Sequence, residues 1–200
     1  MATLEKEECS GIVGCVMKNV LSFFWEVGAI ALIALVLVVG FRIFVFQPFL
    51  VRGESMEPNF HNWDYLVVDE ISYRFREPKR GEVIVFKYPN DPSQRYIKRI
   101  IGLPGETVEV ENREVAVIKG AEKIVLSEEG YLHEFGDNSI ATSVTLGQDE
   151  FFVMGDNRAR SSDSRVWGAL DRELIIGRVF IRVFPVSAFA KVPIPAYKPL

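Results

Sequence analysis

Tyr96-Ile97-Lys98-Arg99-Ile100-Ile101-Gly102-Leu103-Pro104-Gly105 reads as a β-strand stopped by a Gly-Leu-Pro-Gly turn. Isoleucine suits a pleated strand, and Gly and Pro end one. Side chains alternate along a strand, so Lys98 shares a face with Tyr96 and Ile100, while Ile97 and Arg99 point the other way. The same grammar recurs outward from this stretch. Upstream lie Tyr65 to Val68 and Glu82 to Phe86, the latter opened by Arg80-Gly81. Downstream lie Thr107 to Glu111, Glu114 to Ile118, Phe151 to Met154 and Gly177 to Phe184. Asn112-Arg113 marks a hairpin turn without the Asn-Gly that favours the tightest ones. Gly120 to Gln148 is polar and weakly patterned. Together with the hairpin before it, it is expected to form a cap-like excursion over about 107–148. Many short strands between Gly and Pro signals predict a mainly β domain, a sandwich or a barrel.

Before the strands comes an apolar run. Val27 to Phe46 carries one charge, Arg42. About twenty such residues match the ~30 Å hydrocarbon core of a bilayer. The run exceeds the ~7–15 apolar residues of a cleavable signal peptide, and no small-x-small site follows it. The expected organisation is therefore a short arm over 1–22, a transmembrane anchor over 23–46, a β domain over 47–191 and a Pro-rich tail over 192–200. Trp25, Phe41, Phe44, Phe46 and Phe49 suit the interfacial belts. Lys6 and Lys18 precede the span while Arg42 and Arg52 end or follow it, so charge does not decide orientation. The 200-residue chain has a formal net charge of −4 and no basic field suited to nucleic acid. Cys9 and Cys15 both lie before the span, consistent with reduced thiols on a cytosolic arm, and their number and spacing do not make a metal site. No cofactor is expected.

The chemistry centres on Val51-Arg52-Gly53-Glu54-Ser55-Met56-Glu57-Pro58. A serine beside Gly and Pro is a surface turn in most proteins. Ser55 rises above that background only through Lys98, the later Gly155-Asp156-Asn157-Arg158 stretch and the apolar run before it, taken together. It lies about nine residues beyond Phe46, hence within roughly 30 Å of the bilayer edge even when fully extended. Serine needs a neighbour to take its proton. His61 and His133 are the only histidines, and closeness in sequence does not pair His61 with Ser55. Lys98 is the stronger base. A lysine in water has a pKa near 10.4, and lowering it to about 7 costs roughly 4 kcal/mol. Burial among apolar neighbours can supply that. Most strand lysines instead reach solvent. The later stretch Gly155-Asp156-Asn157-Arg158 through Ser161-Ser162-Asp163-Ser164-Arg165 suits a solvated loop or a scaffold for the base.

Four segments, in order, resemble the type I signal peptidases, or leader peptidases. They are Gly53 to Pro58, Gly81 to Phe86, Tyr96 to Glu106, and Gly155 to Arg158 continuing through Ser161, Asp163 to Arg165 and Trp167-Gly168. The resemblance covers about 47–184. It implies a largely antiparallel, barrel-like β-fold and a membrane-anchored serine endopeptidase that removes signal peptides after Ala-x-Ala-type endings. It also implies Ser55 as nucleophile, Lys98 as general base and Ser161 as the serine that orients the lysine. Arg99 with Asp156, and Asp163 with Arg165, would be supporting ion pairs. The Ser55 backbone N–H would serve the oxyanion, and Gly53 stands where some members carry a second, hydroxyl donor. Phe49, Val51, Met56, Val85, Tyr96 and Ile97 match positions lining two shallow substrate pockets. The implied partners are preprotein signal peptides, the lipid bilayer and the secretion machinery, with the catalytic domain outside the cytoplasm. A repressor-type self-cleaving protease would carry a DNA-binding domain where the apolar run stands. The eukaryotic-type subunit would have histidine in place of Lys98. An inactive signal-peptide-binding relative is the alternative, against which Ser55, Lys98 and Ser161 argue.

Overall fold

The computed structural model describes residues 12–44, 46–128, 130–132, 141–185, 189–192, 194–195 and 197. Half of the expected arm, residues 1–11 with Cys9, lies outside the described residues, as do His133 and parts of the tail. The chain divides into two compact units, Met1–Phe44 and Val45–Leu200. In the first, helix α1 spans Ile12–Phe44. It therefore starts within the expected arm, takes in Cys15, and stops before Phe46. No proline interrupts the chain until Pro48, so nothing forces the helix to begin at Val27. Leu21, Phe23, Phe24 and Trp25 extend the apolar surface upstream, and Val20–Val38 is long and apolar enough to cross a membrane.

The second unit is built of antiparallel strands. In chain order they are β1 (Phe46–Leu50), β2 (Tyr65–Asp69), β3 (Val83–Tyr88), β4 (Asp91–Gly102), β5 (Thr107–Glu111), β6 (Glu114–Lys119), β7 (Glu122–Val125), β8 (Thr142–Thr145), β9 (Glu150–Met154), β10 (Leu170–Asp171), β11 (Ile175–Phe184) and β12 (Ala190–Lys191). Single-turn helices α2 (Ser72–Phe75) and α3 (Ser164–Trp167) interrupt them. The larger sheet runs β1-β2-β11-β3-β4-β9-β10, with β12 beside β11. The smaller runs β7-β6-β5-β8.

β1 escaped the reading of the sequence because it follows directly on the apolar run and contains Pro48. Proline lacks the N–H a ladder needs, and β1 tolerates it because it is an edge strand. The Gly120–Gln148 stretch is not merely an excursion, since it supplies β7 and β8. Both are short and half-exposed, so neither shows a strong apolar pattern. The Asn112-Arg113 turn holds both residues at positive φ, 49° and 67°, as a two-residue hairpin requires.

β3 and β4 are central, and their apolar runs are buried on both faces. Ile84, Phe86 and Ile100 pack with Phe151, Val153 and Leu170 on one side. Val83, Val85 and Ile97 pack with Val51, Met56, Phe60 and Leu66 on the other. Each such side chain contributes about 1.5–3 kcal/mol by leaving water. At Gly102 a Cβ would meet Val108 Cγ2 at 2.4 Å, so β4 can pass under the smaller sheet only with glycine there.

Candidate active site

Residues 51–64 form a loop pinched at its base. The Val51 amide donates to the Asp64 carbonyl, and the Trp63 amide donates to the Val51 carbonyl, each at 2.9 Å. Met56 and Phe60 are buried and root the loop in the core. Gly53 has φ of 96°, a backbone that side chains disfavour, and its amide donates to Asn62 Oδ1 at 3.1 Å. These restraints leave Ser55 half-exposed at the loop's tip.

Lys98 lies on β4, opposite Ile84 of β3. It is 3% exposed. Its Nζ donates to Ser55 Oγ at 2.7 Å and to the Ile97 carbonyl at 3.0 Å. The amine also sits 5.4 Å from the Tyr96 ring centroid. Burial pushes the Lys98 pKa down to about 8, opposed by the charges of Asp163 and Asp156 and aided by Arg165. The amine is thus uncharged in roughly a tenth of molecules near pH 7.

The segment 155–165 is held by paired charges. Arg99 donates to Asp156 through Nε at 2.8 Å and Nη2 at 2.6 Å, and through Nη1 to the Gly81 carbonyl at 2.9 Å. Both side chains are buried. Burial works against the Arg99 charge, but the Asp156 carboxylate outweighs it and raises the pKa. Asp163 accepts from Arg165 Nε at 2.8 Å and Nη2 at 2.9 Å, and from the Gly155 amide at 3.0 Å. Burial pushes Asp163 up, but Arg165 and that amide hold it below its ordinary value. The two pairs implied by resemblance are therefore in contact. No hydrogen bond joins Ser161 to Lys98. The nearness of Ser161 to Asp163 helps to hold that carboxyl down, and its Oγ is buried. A Cβ on Gly155 would come within 2.2 Å of that oxygen and 2.4 Å of the Ser55 carbonyl. The Gly155 backbone lies between the two serines, and only glycine fits there.

A family model described as signal peptidase, peptidase S26, matches residues 24–184. A probable signal peptidase I-1 of Synechocystis sp. is 41% identical over 167 residues, covering 80% of this chain and 82% of the relative. A probable signal peptidase I-2 of the same organism is 38% identical, covering 80% and 73%. A signal peptidase I of Bacillus amyloliquefaciens is 35% identical, covering 80% and 88%.

The chain belongs to the S26 signal peptidase family.

In this S26 family member a cleft of about 580 Å³ opens over Ser55 and Lys98. Of the six expected pocket residues, Phe49, Tyr96 and Ile97 line it. Val51, Met56 and Val85 do not. They are buried in the cluster that also contains Ile97, against which Phe49 packs. Each of the three is 1% exposed and packs in the core of this structure. Arg52, Arg95 and Arg160 also line the cleft, and no motif singled them out. Arg160 pairs with Glu54 beside the serine. Among the described residues no cluster of His, Cys, Asp or Glu could hold a metal ion.

Proposed function

We propose that this chain is a membrane-anchored serine endopeptidase that removes signal peptides from preproteins with a Ser55–Lys98 dyad. The observation that carries the reading is the 2.7 Å contact between a half-exposed serine hydroxyl and a buried lysine amine. A lysine kept dry loses its proton near neutral pH and becomes a base.

In the forward step the neutral Lys98 amine takes the Ser55 hydroxyl proton as Oγ bonds to the scissile carbonyl carbon. The carbonyl oxygen becomes an oxyanion facing the Ser55 backbone N–H. Gly53 offers no hydroxyl, so any second donor comes from elsewhere. When the tetrahedral species collapses, the C–N bond breaks and the Lys98 ammonium returns its proton to the leaving amine. Lys98, neutral again, takes a proton from water as the water oxygen bonds to the ester carbon; the acyl–Oγ bond then breaks, Lys98 returns the proton to Ser55 Oγ, and the peptide acid leaves. Arg99–Asp156 and Asp163–Arg165 keep the loop beside the dyad.

The substrate binds as an extended strand in the cleft bounded by Phe49, Tyr96 and Ile97, whose side chains favour small residues at the cut. α1 serves as anchor, and since signal peptides reach the far side of the membrane before they are cut, the β domain faces the extracytoplasmic side near the secretion machinery. Detergent-solubilised protein incubated with a preprotein should yield one new N-terminus, following an Ala-x-Ala-type ending. Ser55→Ala and Lys98→Ala should yield none while remaining folded. Unimpaired cleavage by Lys98→Ala would sink the dyad.

A further inference from the structure

Glu128 belongs to the weakly patterned stretch whose purpose the sequence does not reveal, yet it is 4% exposed. A buried carboxylate is costly unless paired and hydrogen-bonded. Its Oε1 accepts from Arg158 Nη2 and from the Tyr131 hydroxyl, each at 2.5 Å. Both side chains of the Glu128–Arg158 pair are 2% exposed.

Arg158 follows Asp156 and Asn157 by one or two residues. Its Nε donates to the Gly155 carbonyl at 3.2 Å, and its own carbonyl accepts from Arg165 Nη2 at 2.8 Å. The Asn157 amide donates to the Ser55 carbonyl at 3.0 Å. A continuous run of buried contacts therefore leads from Glu128 through Arg158 to the backbone that touches the serine. The same turn has a second attachment. Asn59 Nδ2 donates to the Tyr131 carbonyl at 2.7 Å and to Asp156 Oδ2 at 2.9 Å. The Arg99 guanidinium lies 4.3 Å from the Tyr131 ring centroid.

We infer that Glu128 is a positioning residue for the peptidase reaction, bracing the 155–165 loop through Arg158 so that Ser55 and Lys98 stay in register and dry. The inference rests on the Ser55–Lys98 reading. In Glu128→Gln the shape persists but Arg158 loses the carboxylate facing its Nη2. The loop then keeps its bonds through Asn59, Gly155 and Arg165 but loses its charged brace on this side, and water gains access to Lys98. The charged groups acting on that amine are Asp163, Asp156 and Arg165, and all three ride on this loop.

The test is preprotein cleavage by the full-length Glu128→Gln protein in detergent, across pH, with thermal unfolding in parallel. The expected result is a kcat lower by about tenfold to a hundredfold, with KM little changed. The acid limb of the pH profile should also move to higher pH, because a wetter amine holds its proton more tightly. Simple loss of folded protein lowers the rate equally at every pH and moves no limb. Wild-type kcat, or an acid limb that stays in place, overturns the inference. If Glu128→Gln does not fold, Glu128→Asp carries the test, since it keeps the charge but draws the carboxylate back from Arg158 Nη2; an unmoved limb there is equally fatal. Retained activity in Ser55→Ala would sink the dyad and this inference together. An inactive Ser55→Ala beside a Glu128→Gln of wild-type behaviour would sink this inference alone.

Discussion

The Ser55 carbonyl accepts a 3.0 Å hydrogen bond from the Asn157 amide, joining the serine loop to a segment far along the chain. Gly155, two residues before that amide, has no room for a methyl group. Gly155→Ala should push Ser55 and Ser161 apart. A displacement of about 1 Å at a reacting atom is worth on the order of 10² in rate. Cleavage assays should show kcat falling by that order with the β domain still folded by circular dichroism. An alanine variant as fast as wild type would contradict the packing.

In the proposed dyad Lys98 acts as a base only when deprotonated, and burial lowers its pKa to about 8. The rate constant kcat/KM should therefore rise with pH and level off above that value. Lys98→Arg should be inactive at every pH, because a guanidinium does not deprotonate in proteins. Initial rates from pH 5 to 10 test this. A plateau already complete at pH 6 would rule Lys98 out as the titrating group.

The same burial has a stability consequence of definite sign. The folded pKa of about 8 lies below the 10.5 of a lysine in water, so the unfolded chain binds more protons between those values. Stability contributed by Lys98 therefore rises with pH across that window, and the full penalty applies below it. Lys98→Met should be inactive yet more stable than wild type at pH 7, by on the order of 3 kcal/mol. The gap should narrow as pH approaches 10. Urea melts at pH 7 and 10 measure both quantities, and a methionine variant less stable at pH 7 would refute the claim.

Asp156→Asn strips Arg99 of its bidentate carboxylate while leaving the guanidinium buried. Removing one member of a buried pair typically costs about 3–5 kcal/mol. Loss of folded protein at ordinary temperature, or a large fall in the unfolding midpoint, is expected. Replacing both Arg99 and Asp156 by apolar residues should cost less, because no charge is then stranded.

Much of the fold could be read from the chain because burial and pattern coincide there. The Val83–Phe86 and Ile97–Ile101 runs are apolar on both faces and form central strands β3 and β4. Thr107–Glu111 alternates and forms β5. β1, β7 and β8 lie at sheet edges, where half-exposed residues leave no such trace. At the site, Ser55 and Lys98 emerged from the need for a base and from resemblance. Resemblance also named Val51, Met56 and Val85 as pocket residues, but they lie buried and do not line the cleft. Glu128 gave no signal, because an ion pair 30 residues apart has no periodicity to betray it.

The far end of the chain returns to the region behind the dyad. Tyr197 donates its hydroxyl to that of Tyr131 at 3.2 Å, and a Cβ on Gly81 would strike Tyr197 and Pro195 at 2.9 and 3.0 Å. The Gly81 carbonyl in turn receives Arg99. Pro195 and Tyr197 thus latch the Gly81 turn to Tyr131 behind Arg99. Removing them should hasten proteolysis near Tyr131.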